Sequence, residues 1–95
     1  MAYVRLSLMR PMAGHQEEVQ SINKELVHMN RRMPGCLDSR SISALDGSGE
    51  VGRLTIWASQ ADADRAANDP RSLTLRSRLH LIILAGHLER SFQAS

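Results

Sequence analysis

Arginine is the residue type in this sequence best placed to do chemistry, because it makes up all but one of the 12 Lys and Arg residues. A guanidinium group binds anions through planar, two-pronged hydrogen bonds that an ammonium group cannot make. Arg5 and Arg53 are candidates because they share a predicted strand face with the only tryptophan, Trp57. Arg76 lies on a predicted helix, one turn before a histidine. Two other interpretations stay open: these arginines form salt bridges within or between chains, or the arginine content reflects genome composition.

Trp57 and His80 complete the set of candidate catalytic residues. Trp57, the only tryptophan, ends a predicted strand and offers a large flat ring. His80 follows Arg76 by four residues, one turn along the same face of a predicted helix. Because imidazole titrates near neutral pH, His80 is the candidate general base. Structural roles stay open as well, with Trp57 as a packing anchor and Arg76 and His80 as solvated helix residues.

Histidine and cysteine usage predicts no metal site. No two of the four histidines have the His-x-x-x-His spacing of a helical metal site. The single cysteine, Cys36, excludes an internal disulfide and is typical of a reducing cytoplasm, where we expect the protein to reside. We interpret Cys36 as a small strand hydrophobe rather than a nucleophile, because no histidine lies near it in sequence.

Two hydrophobic periodicities along the chain predict an α+β fold. Alternation of polar and apolar residues predicts strands, whereas apolar residues three and four apart predict helices. The predicted strands cover 3–9, 36–45, 50–58 and 87–94, and the predicted helices cover 15–33, 59–68 and 70–84. The order β-α-β-β-α-β, with the second helical segment in two pieces, predicts a single ferredoxin-like domain over residues 1–95, an antiparallel sheet with helices on one face.

The same alternation predicts which side chains share a face of the sheet. We expect the apolar face to pack against the helices, and it carries Val4, Leu6, Leu8, Leu54, Ile56 and Ala58. The opposite face is polar and basic with one large ring, and it must meet water, a ligand or a second subunit. The residues predicted to bind substrate there, beside Trp57, are Tyr3, Arg5, Ser7, Arg53 and Thr55.

Charge and hydropathy exclude two classes of partner. The net charge is only +2 and the arginines are spread along the chain, so we predict no nucleic-acid partner. The chain has one Trp, one Tyr and one Phe, too few for the stacking surface of an RNA-binding sheet. No run of about 18 apolar residues is present, so we predict no membrane-spanning helix. The first ten residues alternate like a strand, unlike a signal peptide.

Three short motifs, in this order and spacing, resemble the antibiotic biosynthesis monooxygenase family of the dimeric α+β barrel superfamily. They are Pro11–Glu18 before the first helix, Met33–Leu37 before the second strand, and Leu54–Ser59 at the end of the third strand. The likeness covers nearly the whole chain. It implies a homodimer in which two sheets pack together, and a substrate cleft formed by the sheet face that points away from the helices.

The resemblance also implies a function and roles for particular residues. Some members with an Asp-Pro-Arg-Ser segment like Asp69–Ser72 oxidise polycyclic phenols to quinones with O2, so we expect a small aromatic substrate and no cofactor. By position, Trp57 would stack on the substrate and Arg76 would pair with its anion. Arg53 and Ala63 stand where those members have Asn and Tyr. A haem-degrading branch of the superfamily is not favoured, because this chain lacks that branch's Asn, Trp and His.

A second class of function stays open for the same fold. The chain could serve as a non-catalytic ligand-binding or regulatory dimer. Consumption of O2 in the presence of a bound aromatic compound would distinguish the two classes.

Overall fold

The computed structural model describes residues 1–95, which form four strands and three helices. In chain order the elements are β1 (Ala2–Met9), α1 (Gln16–Arg31), β2 (Cys36–Ser43), β3 (Val51–Trp57), α2 (Gln60–Ala67), α3 (Pro70–His80) and β4 (Leu88–Ala94). None of the helices has the length and apolar character needed to cross a bilayer.

All four strands belong to one antiparallel sheet with the order β2-β3-β1-β4. This order confirms the predicted ferredoxin-like fold. One predicted boundary is wrong, because α3 ends at His80 rather than at residue 84. After the helix the chain pairs with the segment that follows β1: Ile83 bridges Pro11, and the Met12 N–H donates to the Ile82 carbonyl over 2.8 Å. These contacts bury Ile82 and Ile83 outside the helix.

The Ser-x-x-Asp spacing from Ser59 to Asp62 and the pair Asp69-Pro70 predict helix caps, and the two short helices begin there. The Ser59 hydroxyl accepts a hydrogen bond from the Asp62 N–H at 3.2 Å, and the Asp69 carboxylate accepts one from the Arg71 N–H at 2.9 Å. Pro70 occupies the first turn of α3, where its missing N–H is not needed. The caps satisfy backbone donors that a helix start leaves unpaired, so they define where α2 and α3 begin above the sheet.

The predicted assignment of the two sheet faces is wrong, because the polar face is the one that packs against the helices. Arg53 donates a hydrogen bond to Asn23 of α1, and Trp57 packs against Ala63 and Ala66 of α2. We call this side of the sheet the inward face. In β1 and β3 it comprises Tyr3, Arg5, Ser7, Met9, Val51, Arg53, Thr55 and Trp57.

The opposite side of the sheet, which we call the outer face, is uncovered and apolar at its centre, with Asp38, Arg40 and Arg90 on the two edge strands. Its apolar residues lie in register across the four strands and are Val4, Leu6, Leu8, Ile42, Leu54, Ile56, Leu88 and Phe92. They remain half-buried or exposed, with Leu88 at 36% and Phe92 at 39% exposure. Alternation separates the two faces but does not say which one the helices cover. The usual rule that the apolar face is the covered one fails in this sheet.

Side chains of the inward face contribute to two separate apolar clusters with polar residues between them. Met9 and Val51 join the larger cluster with α1 and the end of α3, and Trp57 forms the smaller one with α2. Along β3 the inward residues are therefore apolar at both ends and polar in the middle, at Arg53 and Thr55. Buried polar groups cost stability unless they are hydrogen-bonded, so the contacts of this middle layer bear on function.

Candidate functional site

The polar middle layer surrounds a cavity of about 40 Å³ between the sheet and the helices. A space of this size holds roughly three water molecules or one small polar group, but no aromatic ring. Its lining comes from strands β1, β3 and β4 and from all three helices. The lining residues are Arg5, Ser7, Leu26, Asn30, Arg53, Thr55, Trp57, Ala63, Ala66, Ala67, Ser72, Arg76 and Glu89.

Most of the site residues predicted from the sequence lie together in this lining. The residues brought together are Arg5, Ser7, Arg53, Thr55, Trp57 and Arg76. They meet beneath the helices rather than on a face that points away from them. The structure therefore corrects the predicted face on which these residues lie, and it places Tyr3 and His80 outside the lining.

Arg53 is the most deeply buried arginine of the site, with 7% of its surface exposed. Its Nη1 donates to Oδ1 of Asn23 over 2.5 Å, and this is the only hydrogen bond of the side chain. Asn23 is itself 2% exposed and donates through Nδ2 to the sulfur of Met9 at 3.6 Å. Arg53 takes part in none of the ion pairs of the chain. The charged guanidinium group therefore has a neutral amide, and no carboxylate, as its hydrogen-bond partner.

Burial is the main cause that lowers the pKa of Arg53 from the ordinary value of an arginine to about 10. The carboxylate of Glu89 acts in the opposite direction, and the positive charge of Arg76 lowers this pKa further. At neutral pH the guanidinium therefore remains protonated. Together with Arg5, three cations and one carboxylate line the cavity.

Arg76 reaches the cavity from α3. Its Nη2 donates to the carbonyl oxygen of Ala67, the last residue of α2, over 3.2 Å. Its Nε is buried and has no hydrogen-bond partner. Leaving a buried donor unpaired costs about 1–3 kcal/mol, so a ligand that accepts this hydrogen bond would recover that free energy.

Arg5 and Tyr3 form a more exposed pair at one end of the inward face. Nη2 of Arg5 donates to the Tyr3 hydroxyl at 2.9 Å and lies 3.5 Å from the carboxylate of Asp64. The Tyr3 hydroxyl is also 2.8 Å from that of Ser91, and this hydrogen bond, with a smaller effect from Arg5, lowers the pKa of Tyr3. Arg5 therefore has a counter-charge, unlike Arg53, and Tyr3 contacts Arg5 rather than the cavity.

Trp57 closes the other side of the cavity with only 3% of its surface exposed. Its ring packs against the small side chains of Ala63 and Ala66. The neighbouring Thr55 hydroxyl lies 2.9 Å from that of Ser39 on β2, and both residues are buried. The indole thus serves as an apolar wall, whereas the Thr55 hydroxyl already has a partner.

His80 lies away from this cavity. It ends α3 as an exposed residue, and its ring centroid is 5.0 Å from that of His87. The spacing of four residues from Arg76 predicts a shared helix face, but the Arg76 side chain turns toward the end of α2 instead. We therefore give His80 no part in the chemistry proposed below.

Two buried polar residues near the arginines are absent from the sequence-based set. Asn23 holds Arg53, and Ser72, which is 4% exposed, lines the cavity one turn before Arg76. A signal for Asn23 exists in the sequence, because it occupies a core position one residue after Ile22 in the apolar stripe of α1. Ser72 has no comparable signal in the sequence, because an exposed serine at the same position would fit the pattern equally well.

The side chains of the cavity suit an anion better than a cation. No group of three or more His, Cys, Asp or Glu residues is placed to hold a metal ion. The buried donor without a partner belongs to a guanidinium group, which binds carboxylates and other oxyanions.

The sequence matches the family model described as antibiotic biosynthesis monooxygenase over residues 2–76. Because this match covers most of the chain, the protein belongs to that family. The matched range extends from β1 to Arg76, the cavity arginine of α3. No curated protein sequence matches the chain.

Several solved structures share the fold at low sequence identity. Rv0793 from Mycobacterium tuberculosis has a TM-score of 0.91 at 13% identity, covering 100% of this chain and 96% of that one. SnoaB from Streptomyces nogalater, a cofactor-independent oxygenase, has a TM-score of 0.83 at 16% identity, with 99% and 93% covered. A structure described as an antibiotic biosynthesis monooxygenase has a TM-score of 0.86 at 17% identity, with 100% and 99% covered. At these identities the likeness establishes the fold alone.

Proposed function

We propose that this protein is a monooxygenase that oxidises a small aromatic, phenol-type substrate with O2 and without a metal or organic cofactor. The observation that carries the proposal is a buried cavity that brings Trp57 together with Arg53 and Arg76, neither of which has an ion-pair partner. Family membership supports the monooxygenase class. The shared fold of SnoaB, a cofactor-independent oxygenase, agrees with chemistry that needs no cofactor.

The proposed chemistry needs an electron-rich anion and a site that stabilises it. A phenol that has lost its proton can donate an electron to O2. In this proposal Arg76 and Arg53 stabilise the negative charge of the phenolate and of the reduced oxygen, and Trp57 stacks on the ring. One atom of O2 becomes the second quinone oxygen, and the other leaves as water with two hydrogens from the substrate. Exclusion of bulk water by the helices strengthens these electrostatic contacts.

Substrate entry requires α2 or α3 to move away from the sheet. The cavity of about 40 Å³ does not hold a ring, whereas a cavity that binds benzene measures roughly 150 Å³. The contacts between α2 and Trp57 are made by the small side chains of Ala63 and Ala66. Opening there would break one exposed hydrogen bond to the sheet, from Arg5 to Asp64 at 3.5 Å. Opening at this contact would expose the indole face on which the ring stacks.

The proposal includes a homodimer formed through the outer face. Apolar patches that stay uncovered in a monomer commonly mark interaction sites. On the outer face Val4, Leu6 and Leu8 of β1 adjoin apolar residues of neighbouring strands in one surface. Charged residues of the edge strands border it, with Arg90 on β4 and Asp38 and Arg40 on β2. Packing of two such sheets would remove this surface from water, and it would leave each cavity within its own subunit.

The test is oxygen-electrode uptake by the purified protein over a panel of dihydroxynaphthalenes and anthrones, with a chelator present. We expect chelator-resistant O2 consumption with quinone formation. Arg76→Ala should lower turnover by about 100-fold, because it removes a donor to the developing anion. Arg78→Ala is the matched control on the exposed side of the same helix and should retain activity. A folded wild type that binds a panel compound without O2 uptake would favour the non-catalytic binding function instead.

A further inference from the structure

We propose that the cavity binds a carboxylate group between Arg53 and Arg76, so that the natural substrate is an aromatic acid. This inference rests on the proposed function only in taking the cavity as the substrate site. It adds the chemical group that the substrate presents to the two arginines.

The first argument is the charge that the protein leaves uncompensated. Arg53 is nine-tenths buried and its single hydrogen-bond partner is the neutral amide of Asn23. Arg76 contributes a second cation, and its buried Nε has no partner. Burying a charge without a counter-ion costs several kcal/mol, and a bound anion offsets that cost. The proximity of the two cations adds to the effect, because the charge of Arg76 disfavours the charged form of Arg53.

The carboxylates already present do not neutralise this pair. Asp64 lies 3.5 Å from Arg5, and its side chain is 53% exposed. Glu89, opposite Ser7 on β4, favours the charged form of Arg53, but it is an exposed residue and forms no ion pair. The inner part of the cavity therefore keeps an excess of positive charge.

The second argument is the size and shape of the space. About 40 Å³ admits a planar group of a few atoms and excludes a ring. Two guanidinium groups match the two oxygens of a carboxylate, which they bind through paired, charge-assisted hydrogen bonds. A carboxylate can occupy this space without displacing the helices. The ring that carries it reaches Trp57, in the wall of the same cavity, only when α2 or α3 moves away from the sheet as in the proposed function.

Isothermal titration calorimetry and thermal unfolding test this inference with benzoate, its neutral isostere benzamide, acetate and sulfate as probes. We expect the wild type to bind benzoate at least about tenfold more tightly than benzamide or acetate, and to gain melting temperature with benzoate. Arg53→Met and Arg76→Met should each abolish the preference for benzoate. Arg78→Met, on the exposed side of α3, should retain it. If one cavity variant fails to fold, the other provides the same comparison.

Two outcomes would overturn the inference. Equal affinity of the wild type for benzoate and benzamide would show that no carboxylate site exists. If acetate or sulfate binds as tightly as benzoate, the ring contributes nothing to affinity. The cavity would then bind an inorganic or small free anion rather than the carboxylate of a substrate.

The binding experiment separates this inference from the proposed function, because it involves no O2. Oxygen uptake with neutral phenols, together with no preference for benzoate, would leave the monooxygenase function and overturn the carboxylate site. A benzoate preference that depends on both arginines, together with no uptake for any aromatic acid or phenol, would support the site and overturn the oxygenase function.

Discussion

Arg53 is a charged residue in an unfavourable environment, because it is buried without a counter-charge. A guanidinium group is among the groups least often buried without a counter-charge, yet here a neutral amide is its only hydrogen-bond partner. The sequence predicts Arg53 as a ligand contact from its type and its phase with Trp57. It does not predict the burial, because burial depends on Asn23, which lies 30 residues away on α1.

Replacing Arg53 should change how the free energy of unfolding depends on pH. The pKa of Arg53 is about 10 in the folded protein, below the ordinary value of an arginine. Above pH 10 the folded state loses this proton while the unfolded state keeps it, so the group adds stability as the pH rises. We expect wild type to gain about 1 kcal/mol relative to Arg53→Met between pH 9 and pH 11. Urea unfolding of both proteins measures this, and a pH-independent difference would contradict the burial of the charge.

At the scale of elements, the order of strands and helices follows from the sequence and their orientation does not. Period-two alternation, the caps at Ser59 and Asp69, and the glycines between elements locate the elements to within a few residues. The end of α3 is the exception, because the pairing of Ile83 with Pro11 joins segments that are far apart in sequence. The prediction of which sheet face packs against the helices is wrong for a similar reason, since it depends on what covers each face.

Gly52 is required for the close approach of β3 to β1, and the alternation of polar and apolar residues does not reveal this requirement. A Cβ at this buried position in β3 would overlap the backbone carbonyl oxygen of Ser7 on β1. Gly52→Ala should therefore push the two central strands apart and lower the free energy of unfolding by about 1–3 kcal/mol. Urea unfolding should show this loss, with Ser43→Ala at an exposed position of β2 as the matched control. Equal midpoints for Gly52→Ala and wild type would mean that the strands are not in close contact here.

At the scale of the whole molecule, the inward and outer faces of the sheet have different environments. The inward face packs against the helices through apolar clusters and holds the polar cavity between them. The outer face is apolar along its two central strands, β1 and β3, and has no cover within the chain. In the proposed homodimer a second sheet provides that cover, so a chain of only 95 residues would gain a larger core.

Leu54→Asp tests the proposed dimer face. Leu54 lies between Leu6 of β1 and Arg40 of β2 in the outer face. Because Arg40 is already paired with Asp38, a second sheet would bury the added carboxylate without a free counter-charge. We expect the dimer dissociation constant to rise by about 100-fold or more, measured by analytical ultracentrifugation. Leu45→Asp is the control, because Leu45 is fully exposed between β2 and β3. An unchanged dimer in Leu54→Asp would place the interface elsewhere.

The most direct test of the central claim, that ligands bind inside the cavity beneath the helices, uses Trp57 itself. It is the only tryptophan and it lines the cavity, so its fluorescence lifetime reports binding at that place. Under anaerobic conditions, titration with 1,4-dihydroxynaphthalene should change the lifetime saturably, and Arg76→Ala should weaken the apparent affinity. Binding seen by equilibrium dialysis with no change in the Trp57 lifetime would contradict the claim and move the ligand site away from the cavity.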